Sequence, residues 1–356
     1  MSTPITENHE TQSAYSSPNA YEWCYAYGQP AARAQLKKMP ADFQVDEQLG
    51  FDLDGEGDHV FIRIQKTGLN TQAIAKHIAH LIGVRERDVG YAGMKDRHAI
   101  TTQWFSADMA GRAEPDWQHL NTDQIRVVDV VRHRRKLRRG ALKGNCFKIR
   151  LREITGDQDE VLARLDTIAA QGVPNYYGEQ RFGRNNVAMA EAMFSRRLRV
   201  KRHQRSIYLS AARSWLFNSV LSRRVESGHW NTALVGDVMQ LAGTNSVFKI
   251  TSLDDEIIGR VKSFDIHPTG VLWGKGSLMS GDQTAASEAE CAESNSVLCQ
   301  GLEAAGLKQE RRSLRLCVAD LTWELEADDL ILSFFLPAGS YATTVLREII
   351  CYQDAH

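Results

Sequence analysis

A single carboxylate set among cations is the feature of this sequence best suited to chemistry. Asp96 lies in the segment GYAGMKDRHAITTQWFS (90–106), directly between Lys95 and Arg97. Two neighbouring positive charges should keep such a carboxyl group ionised. An ionised carboxylate can act as a nucleophile or anchor an ion pair. Asp96 is therefore a candidate catalytic residue, although a solvated, salt-bridged turn would show the same spacing.

Two other segments carry residue types that suit recognition of a nucleic-acid base. In LRRGALKGNCF (137–147), Asn145 has the paired donor and acceptor that can read a base edge, and Phe147 has a ring that can stack on a base. In GVPNYYGEQRFG (172–183), aromatic side chains and Arg181 alternate with glycine, as stacking combined with phosphate contact would require. The alternatives are a turn asparagine, a core phenylalanine and a glycine-rich turn packed by its own rings.

A fourth candidate follows a glycine turn near the end of the chain. PAGSYATTVLRE (337–348) places Tyr341 at the start of a predicted helix. An aromatic ring at that position can contact a ligand, or it can pack against the first helical turn as a hydrophobic staple.

The net charge of −1 hides strong local differences in charge. Residues 42–58 contain seven acidic residues and no Lys or Arg, residues 126–152 contain eleven Lys or Arg and one acid, and residues 196–205 contain six Lys or Arg and no acid. Two dense positive segments indicate a polyanionic partner. The candidate phosphate-binding side chains are Arg132, Arg134, Arg135, Lys136, Arg138, Arg139, Lys143 and Arg181.

Several classes of protein are excluded by the motifs that the sequence lacks. It has no phosphate loop, dinucleotide fingerprint, HExxH helix or GxSxG elbow. The six cysteines form no CxxC pair and have no histidine at zinc-site spacing, so we expect free thiols in a reducing cytoplasm and no metal. No apolar run is long enough to span a membrane. Residues 1–21 have the composition of a disordered polar tail.

The pattern of apolar residues predicts an α+β fold. Strands are indicated by alternation and helices by apolar residues on one face. The predicted strands cover 59–65, 100–105, 145–152, 318–325 and 330–336, and the predicted helices cover 71–82, 158–170, 186–228 and 341–351. Strand pairs without regular βαβ alternation favour α+β over a doubly wound sheet. Because the strand-then-helix pattern resumes after residue 315, we expect a domain at 172–315 inserted between 22–171 and 316–356.

Five segments in their order along the chain resemble the signature segments of the tRNA pseudouridine synthase D (TruD) family. They are GYAGMKDRHAITTQWFS, LKGNCFKIRLRE, GVPNYYGEQRFG, LSAARSWLFN and LPAGSYATTVLREII, and the likeness extends from about residue 23 to residue 351. The resemblance implies isomerisation of uridine to pseudouridine in tRNA, at uridine 13 of glutamate tRNA in bacterial members. It also implies a catalytic domain with a mixed, mostly antiparallel sheet flanked by helices, interrupted by a family-specific inserted α+β domain.

The resemblance also implies roles for particular residues. Asp96 would be the nucleophile, and Phe43, Asn145 and Tyr341 would contact the nucleotide, although relatives often carry phenylalanine at the position of Tyr341. Phe147 would pack near the aspartate, and Lys37 would pair with it. The reaction needs no cofactor or metal, and the implied partner is tRNA, bound by a cytoplasmic protein that we expect to be a monomer.

Two alternatives follow from the same residues. A non-catalytic RNA-binding or RNA-folding module would use the same basic surface without Asp96. A metal-dependent nuclease would use the carboxylates of 42–58 as ligands.

Overall fold

The computed structural model describes residues 23–355, which divide into two compact units. One unit consists of residues 29–170 and 317–355, and we call it the sheet unit. The other consists of residues 23–28 and 171–316, and we call it the helical unit. The predicted disordered tail, residues 1–21, lies outside the described residues.

The sheet unit is built on a ten-stranded mixed sheet. Its strands are β1 (Arg33–Leu36), β2 (Phe43–Gln48), β3 (His59–Thr67), β4 (Gly90–Tyr91), β5 (Ile100–Asp108), β6 (Ile125–His133), β7 (Gly144–Thr155), β14 (Ala319–Glu326), β15 (Asp329–Pro337) and β16 (Cys351–Asp354). The strand order is β14-β15-β7-β2-β5-β3-β6, β1 pairs with β7 and β16, and β4 pairs with β5. Only the β1–β16 and β2–β5 pairs among these are parallel. The α+β prediction is confirmed.

Strand alternation determines which side chains enter the core. On β7, Phe147, Ile149 and Leu151 are buried while Cys146 and Lys148 are exposed. This confirms the predicted strand, in which Cys146 lies on the face opposite Phe147 and is exposed. The two predicted strands near the end of the chain are confirmed as β14 and β15, and the strand at 100–105 is confirmed as β5.

Three helices belong to the sheet unit: α1 (Thr71–Ile82), α2 (Gln158–Gln171, whose last residue falls in the other unit) and α8 (Ala342–Ile349). The apolar face of α1, which includes Ile74 and Ile78, packs on Ile62 and Ile64 of β3. Helix α1 ends at Gly83, which adopts the left-handed conformation. Helix α8 is shorter than predicted, since the chain leaves the helix after Ile349 and enters β16 at Cys351.

The helical unit contains a four-stranded sheet, a two-stranded pair and five helices in the described residues. Its strands are β8 (Val173–Pro174), β9 (Val238–Leu241), β10 (Val247–Lys249), β11 (Ile266–Leu272), β12 (Glu310–Ser313) and β13 (Arg315–Leu316). Its helices are α3 (Asn186–Phe194), α4 (Arg202–Glu226), α5 (Asp255–Lys262), α6 (Asp282–Ser294) and α7 (Ser296–Ala304). The continuous helix expected over 186–228 is interrupted at 195–201.

Residues 23–28 group with the helical unit, although we expected them to group with the segments on either side of it. Trp23 stacks on Tyr176 with ring centroids 6.0 Å apart, and the Tyr27 hydroxyl donates a hydrogen bond to the Gly172 carbonyl. Within residues 23–355, no helix is both long and apolar enough to cross a membrane.

The first residue of β7 should tolerate no side chain. A Cβ on Gly144 would lie 2.2 Å from the Leu336 carbonyl oxygen and 2.4 Å from the Phe335 ring. Gly144→Ala should therefore lower the free energy of unfolding by about 1–3 kcal/mol, as overpacking does, measured by urea denaturation. The control is Gly259→Ala in α5, where an added Cβ meets nothing within 4 Å. Equal stability of the two variants would contradict this packing.

Candidate active site

The loop between β4 and β5 carries Asp96 and is fixed by hydrogen bonds to buried side chains. The Lys95 amide donates to the Thr71 hydroxyl at 2.9 Å, and Gln103 donates from Nε2 to the Gly93 carbonyl at 3.3 Å. Thr71 and Gln103 are themselves buried and hydrogen-bonded to each other at 2.8 Å. The loop is therefore held against the sheet and is not a freely solvated turn.

The Asp96 carboxylate is half-buried and paired. Its side chain is 26% exposed, Oδ2 accepts a hydrogen bond from Lys37, and Oδ1 accepts one from the His98 amide at 3.1 Å. Burial alone would raise the pKa of Asp96, but the hydrogen bond and charge of Lys37 together with the His98 amide outweigh burial and hold that pKa below its usual value. Asp96 is therefore ionised at neutral pH.

Lys37 is the cation that holds this carboxylate. It follows β1, is buried, and has a positive φ of 58°. Backbone strain of this kind persists where surrounding contacts enforce it. The Lys37 ammonium also lies 4.6 Å from the centroid of the Phe43 ring and 3.8 Å from Oδ2 of Asp354. Lys37, Asp96 and Phe43 thus form one cluster.

The two cations next to Asp96 in the sequence do not pair with it, which corrects our expectation that they lower its pKa. Lys95 turns to Glu47 and Asn145, and Arg97 donates from Nε to the Gly68 carbonyl at 3.3 Å. Side chains of consecutive residues in a loop point in different directions, so adjacency in sequence did not identify the partner.

Lys66 is a site residue that the sequence analysis missed. It is fully buried on β3 and donates to the Asp96 carbonyl at 2.9 Å and the Leu69 carbonyl at 2.6 Å. Burial lowers the pKa of Lys66 to about 8, although the charge of Asp96 acts in the opposite direction. The sequence pattern could have identified Lys66, because buried positions alternate along β3 at Ile62 and Ile64 and the next such position is Lys66.

The predicted aromatic contacts divide between the cluster and the core. Phe43 and Phe147 are both buried, with edge-to-face rings 6.1 Å apart, and Phe147 also stacks on Phe334 at 5.4 Å. Phe147 is therefore chiefly a core residue. Tyr341 is half-buried at the N-cap of α8. The turn before it is attached to the residue that precedes β7, because the Ala338 amide donates to the Lys143 carbonyl.

The positive segment at 126–152, which we call the first basic run, includes both paired and exposed cations. Arg132 pairs with Glu114, and Arg134 pairs with Glu56. In the described part of the chain, exposed Arg135 and Arg138 have no acidic partner. The acidic segment thus neutralises part of the basic run.

Three other predicted phosphate ligands lie beside rings. The Arg139 guanidinium is 5.5 Å from the Tyr91 ring centroid, and Lys143 is 5.9 Å from that of Phe335. Arg181 belongs to the helical unit, where it lies over Tyr177 at 5.5 Å. In the same glycine-rich segment Tyr176 and Phe182 are core residues. For these two rings the alternative of a turn packed by its own aromatic side chains is therefore correct.

A cavity of about 760 Å³ in the sheet unit has five cations among its ten lining residues. Its floor depends on Gly90, where a Cβ would lie 2.6 Å from the Leu137 carbonyl oxygen. Asp96 does not line this cavity. The cationic lining residues are Arg85, Arg87, Lys136, Arg138 and Arg139, with Tyr91 beside them. Arg85 and Arg87 were not identified from sequence, because they lie outside both basic runs.

The positive segment at 196–205, which we call the second basic run, is exposed or half-buried throughout. Its cations are Arg196, Arg197, Arg199, Lys201, Arg202 and Arg205. None of them forms an ion pair within residues 23–355. Three of them cap or begin α4, whose first turn contains no acidic residue. Cations are unfavourable at that end of a helix dipole, so helix stability does not explain them.

Five of the seven carboxylates of 42–58 lie in ion pairs, including those of Glu47 and Glu56. Asp42 pairs with Arg152, Asp46 with Arg63, and Asp54 with His133. No group of metal-ligating side chains that could hold an ion occurs within residues 23–355.

Comparison with known proteins identifies the family of the chain. The family model described as tRNA pseudouridine synthase D (TruD) matches residues 22–199 and 188–349. The tRNA pseudouridine synthase D of Methylococcus capsulatus is 49% identical over 333 residues, which cover 91% of this chain and 93% of that protein. Its namesake from Aeromonas hydrophila is 48% identical over 339 residues, covering 93% and 94%.

A solved structure shares the fold. The crystal structure of a Methanosarcina mazei protein described under the same family name has a TM-score of 0.72 and 22% sequence identity, and the match covers 92% of this chain and 95% of that chain. The mixed sheet flanked by helices is the fold of that structure. The chain belongs to the tRNA pseudouridine synthase D (TruD) family.

Removal of the Lys37 charge should raise the pKa of Asp96. In Lys37→Met the effect of burial is no longer opposed, and a ¹³C NMR titration of the Asp96 carboxyl should show the rise. The control is Lys38→Met, because Lys38 is exposed and pairs with Glu153. An unchanged Asp96 titration in Lys37→Met would show that another group holds the carboxylate.

The same pair should make stability depend on pH. Since the folded pKa of Asp96 lies below the unfolded value of about 3.9, the pair stabilises the fold above that value and loses its effect as pH falls through the folded pKa. The difference in unfolding free energy between wild type and Lys37→Met should thus be largest at neutral pH and narrow below about pH 4. Urea denaturation at several pH values measures it, and a pH-independent difference would contradict the linkage.

Proposed function

We propose that this chain is a tRNA pseudouridine synthase, an isomerase that converts a uridine of tRNA into pseudouridine. The single observation that carries the proposal is an ionised aspartate, Asp96, paired with Lys37, whose ammonium lies over the Phe43 ring, in a chain of the TruD family. The names of the similar proteins support tRNA as the substrate. We propose uridine 13 of glutamate tRNA as the target.

Asp96 is the proposed nucleophile. Isomerisation breaks the N1–C1′ bond and joins C5 to C1′, while C5 loses a proton and N1 gains one. Reactants and products have the same composition, so the reaction consumes no electrons, water or group donor. A carboxylate that forms a covalent intermediate divides this rearrangement into two easier steps. The low pKa of Asp96 keeps it in the nucleophilic form.

The target uridine must leave the base stack before the carboxylate can reach it. Flipping a base costs a few kcal/mol, which contacts to the extruded base must offset. We assign the contacts to Phe43, Asn145 and Tyr341, with Phe147 behind Phe43. Phe43 packs against Lys37, so a base near this ring would lie close to the Asp96 carboxylate.

The basic surfaces are the proposed tRNA-binding regions. Cations line the cavity near Gly90, and a second exposed series begins α4. We propose that residues 29–170 and 317–355 form the catalytic domain and residues 171–316 the inserted domain. A cytoplasmic monomer is the proposed working form, and the free thiols throughout the described residues are compatible with a reducing compartment.

Asp96→Asn tests the enzyme against the non-catalytic RNA-binding module. The variant keeps the size of the side chain but removes the charge, so pseudouridine formation should be lost while the Kd for tRNA stays within a few fold. Position-by-position pseudouridine mapping of tRNA incubated with each protein measures the first quantity, and filter binding measures the second. A variant that still forms pseudouridine would remove Asp96 from the proposed role.

Charge substitutions distinguish free from paired cations. Replacing Arg135, Arg138 and Arg139 with Gln should weaken binding to many tRNAs alike and reduce the slope of log K against log salt by up to about three, one for each phosphate that is no longer neutralised. The control replaces Arg132 and Arg134, whose charges are already paired with acids, and should change the slope less. An effect confined to one tRNA would identify these residues as sequence readers.

A further inference from the structure

The Lys95 side chain connects a buried acid to the proposed base-reading residue. Its ammonium donates a hydrogen bond to Oδ1 of Asn145 and lies 3.1 Å from Oε2 of Glu47. The Lys95 side chain is 9% exposed and that of Glu47 is fully buried. Neither Lys95 nor Glu47 takes part in the proposed chemical steps.

Glu47 and Asn145 are fixed relative to each other by the sheet. They are directly opposite partners in the antiparallel pairing of β2 with β7. Glu47 Oε1 accepts a hydrogen bond from the Trp104 amide at 3.2 Å, whereas within residues 23–355 Oε2 accepts no hydrogen bond and faces the charge of Lys95. An unpaired buried carboxylate is costly, so Glu47 holds the Lys95 ammonium in place.

The position of Lys95 determines which way the Asn145 carboxamide points. An ammonium group only donates hydrogen bonds, so the amide must turn its oxygen toward Lys95. Its NH₂ group then points away, and it has no hydrogen-bond partner in the part of the chain that the structure describes. Asn145 is half-buried, so this group is accessible to a ligand. Asn145 therefore presents donors and withholds its acceptor.

We propose that Lys95, supported by Glu47, is the positioning residue that makes this site select uracil over cytosine. The inference rests on the proposed function. In this arrangement the C4 edge of the base faces the Asn145 NH₂ group, and uracil carries a carbonyl acceptor there. Cytosine carries an amino donor at C4, which would face another donor. A freely rotating Asn145 could turn its oxygen to cytosine and lose this selection.

The same orientation suits the rearrangement. When uracil turns about its N3–C6 axis, N1 and C5 exchange places, and so do the C2 and C4 carbonyls. The edge presented to Asn145 therefore carries a carbonyl both before and after the turn. A group locked as a donor keeps a partner in substrate and product, so Lys95 acts through Asn145 at both stages without touching the reacting atoms.

The test is a ratio of affinities measured in the inactive Asp96→Asn protein. The probe is the tRNA transcript that wild type modifies, made with uridine or cytidine at the modified position. We expect the uridine transcript to bind about 10- to 100-fold more tightly. Lys95→Met should bring this ratio close to one, because Asn145 is then free to turn. If Lys95 only bound a phosphate, Lys95→Met would weaken both transcripts alike and leave the ratio unchanged.

A double-mutant cycle tests whether Lys95 acts through Asn145. Asn145→Ala should also abolish the ratio, and adding Lys95→Met to Asn145→Ala should change it no further. Lys38→Met removes an exposed lysine of equal charge and should leave the ratio intact. If Lys95→Met alone fails to fold by circular dichroism, Glu47→Gln with Lys95→Met removes both members of the buried pair and should give the same loss.

The outcomes separate the two proposals. Absence of pseudouridine in tRNA treated with wild type overturns the proposed function. If wild type forms pseudouridine, three results would overturn the inference. The first is that the Asp96→Asn protein has no preference for the uridine transcript. The second is that adding Lys95→Met to it leaves the affinity ratio unchanged, and the third is that the effects of Lys95→Met and Asn145→Ala on the ratio are additive.

Discussion

The ion pair between Lys37 and Asp96 is the constraint on which the rest of this site depends. A carboxylate that is only 26% exposed has lost part of its hydration. The charge of buried Lys37 compensates for this loss. The cost is met by the fold, which holds Lys37 at a left-handed φ of 58° and binds the Asp96 carbonyl to buried Lys66. The strained backbone of Lys37 and the partial burial of Asp96 are thus maintained by contacts with the surrounding strands.

Two of the lysine–carboxylate pairs in the sheet unit, Lys37–Asp96 and Lys95–Glu47, differ in burial, and burial distinguishes what each carboxylate can do. Glu47 is fully buried beside Lys95, so its charge is available only to the protein. Asp96 has the same chemical group and the same kind of partner but remains partly accessible. The accessible pair can therefore meet a substrate, while the buried pair can only fix neighbouring groups. A difference in exposure, and not in chemical group, therefore distinguishes the role we propose for Asp96 from the role we propose for Glu47.

Alternation of apolar side chains was enough to predict β3, β7 and β15, because period two is a property of the strand itself. The same local reasoning chose the wrong cation for Asp96. Its partner, Lys37, is 59 residues away and reaches it only because β2 pairs in parallel with β5. Strand order is a long-range property that no local pattern encodes. Lys66, by contrast, could have been predicted from the sequence, since its polar side chain occupies a core position of an alternating strand.

The distribution of charge shows how affinity and selectivity can be separated in such a protein. Acids of the segment 42–58 neutralise some cations of the first basic run. The cations of the run at 196–205 are exposed, and three of them lie at a helix end that disfavours positive charge. Exposed cations bind any phosphate backbone and are screened by salt. Selection between two bases of similar shape needs a donor or acceptor that is fixed in direction at the base edge. Asn145, held by a buried charge pair, has that property, and the exposed arginines do not.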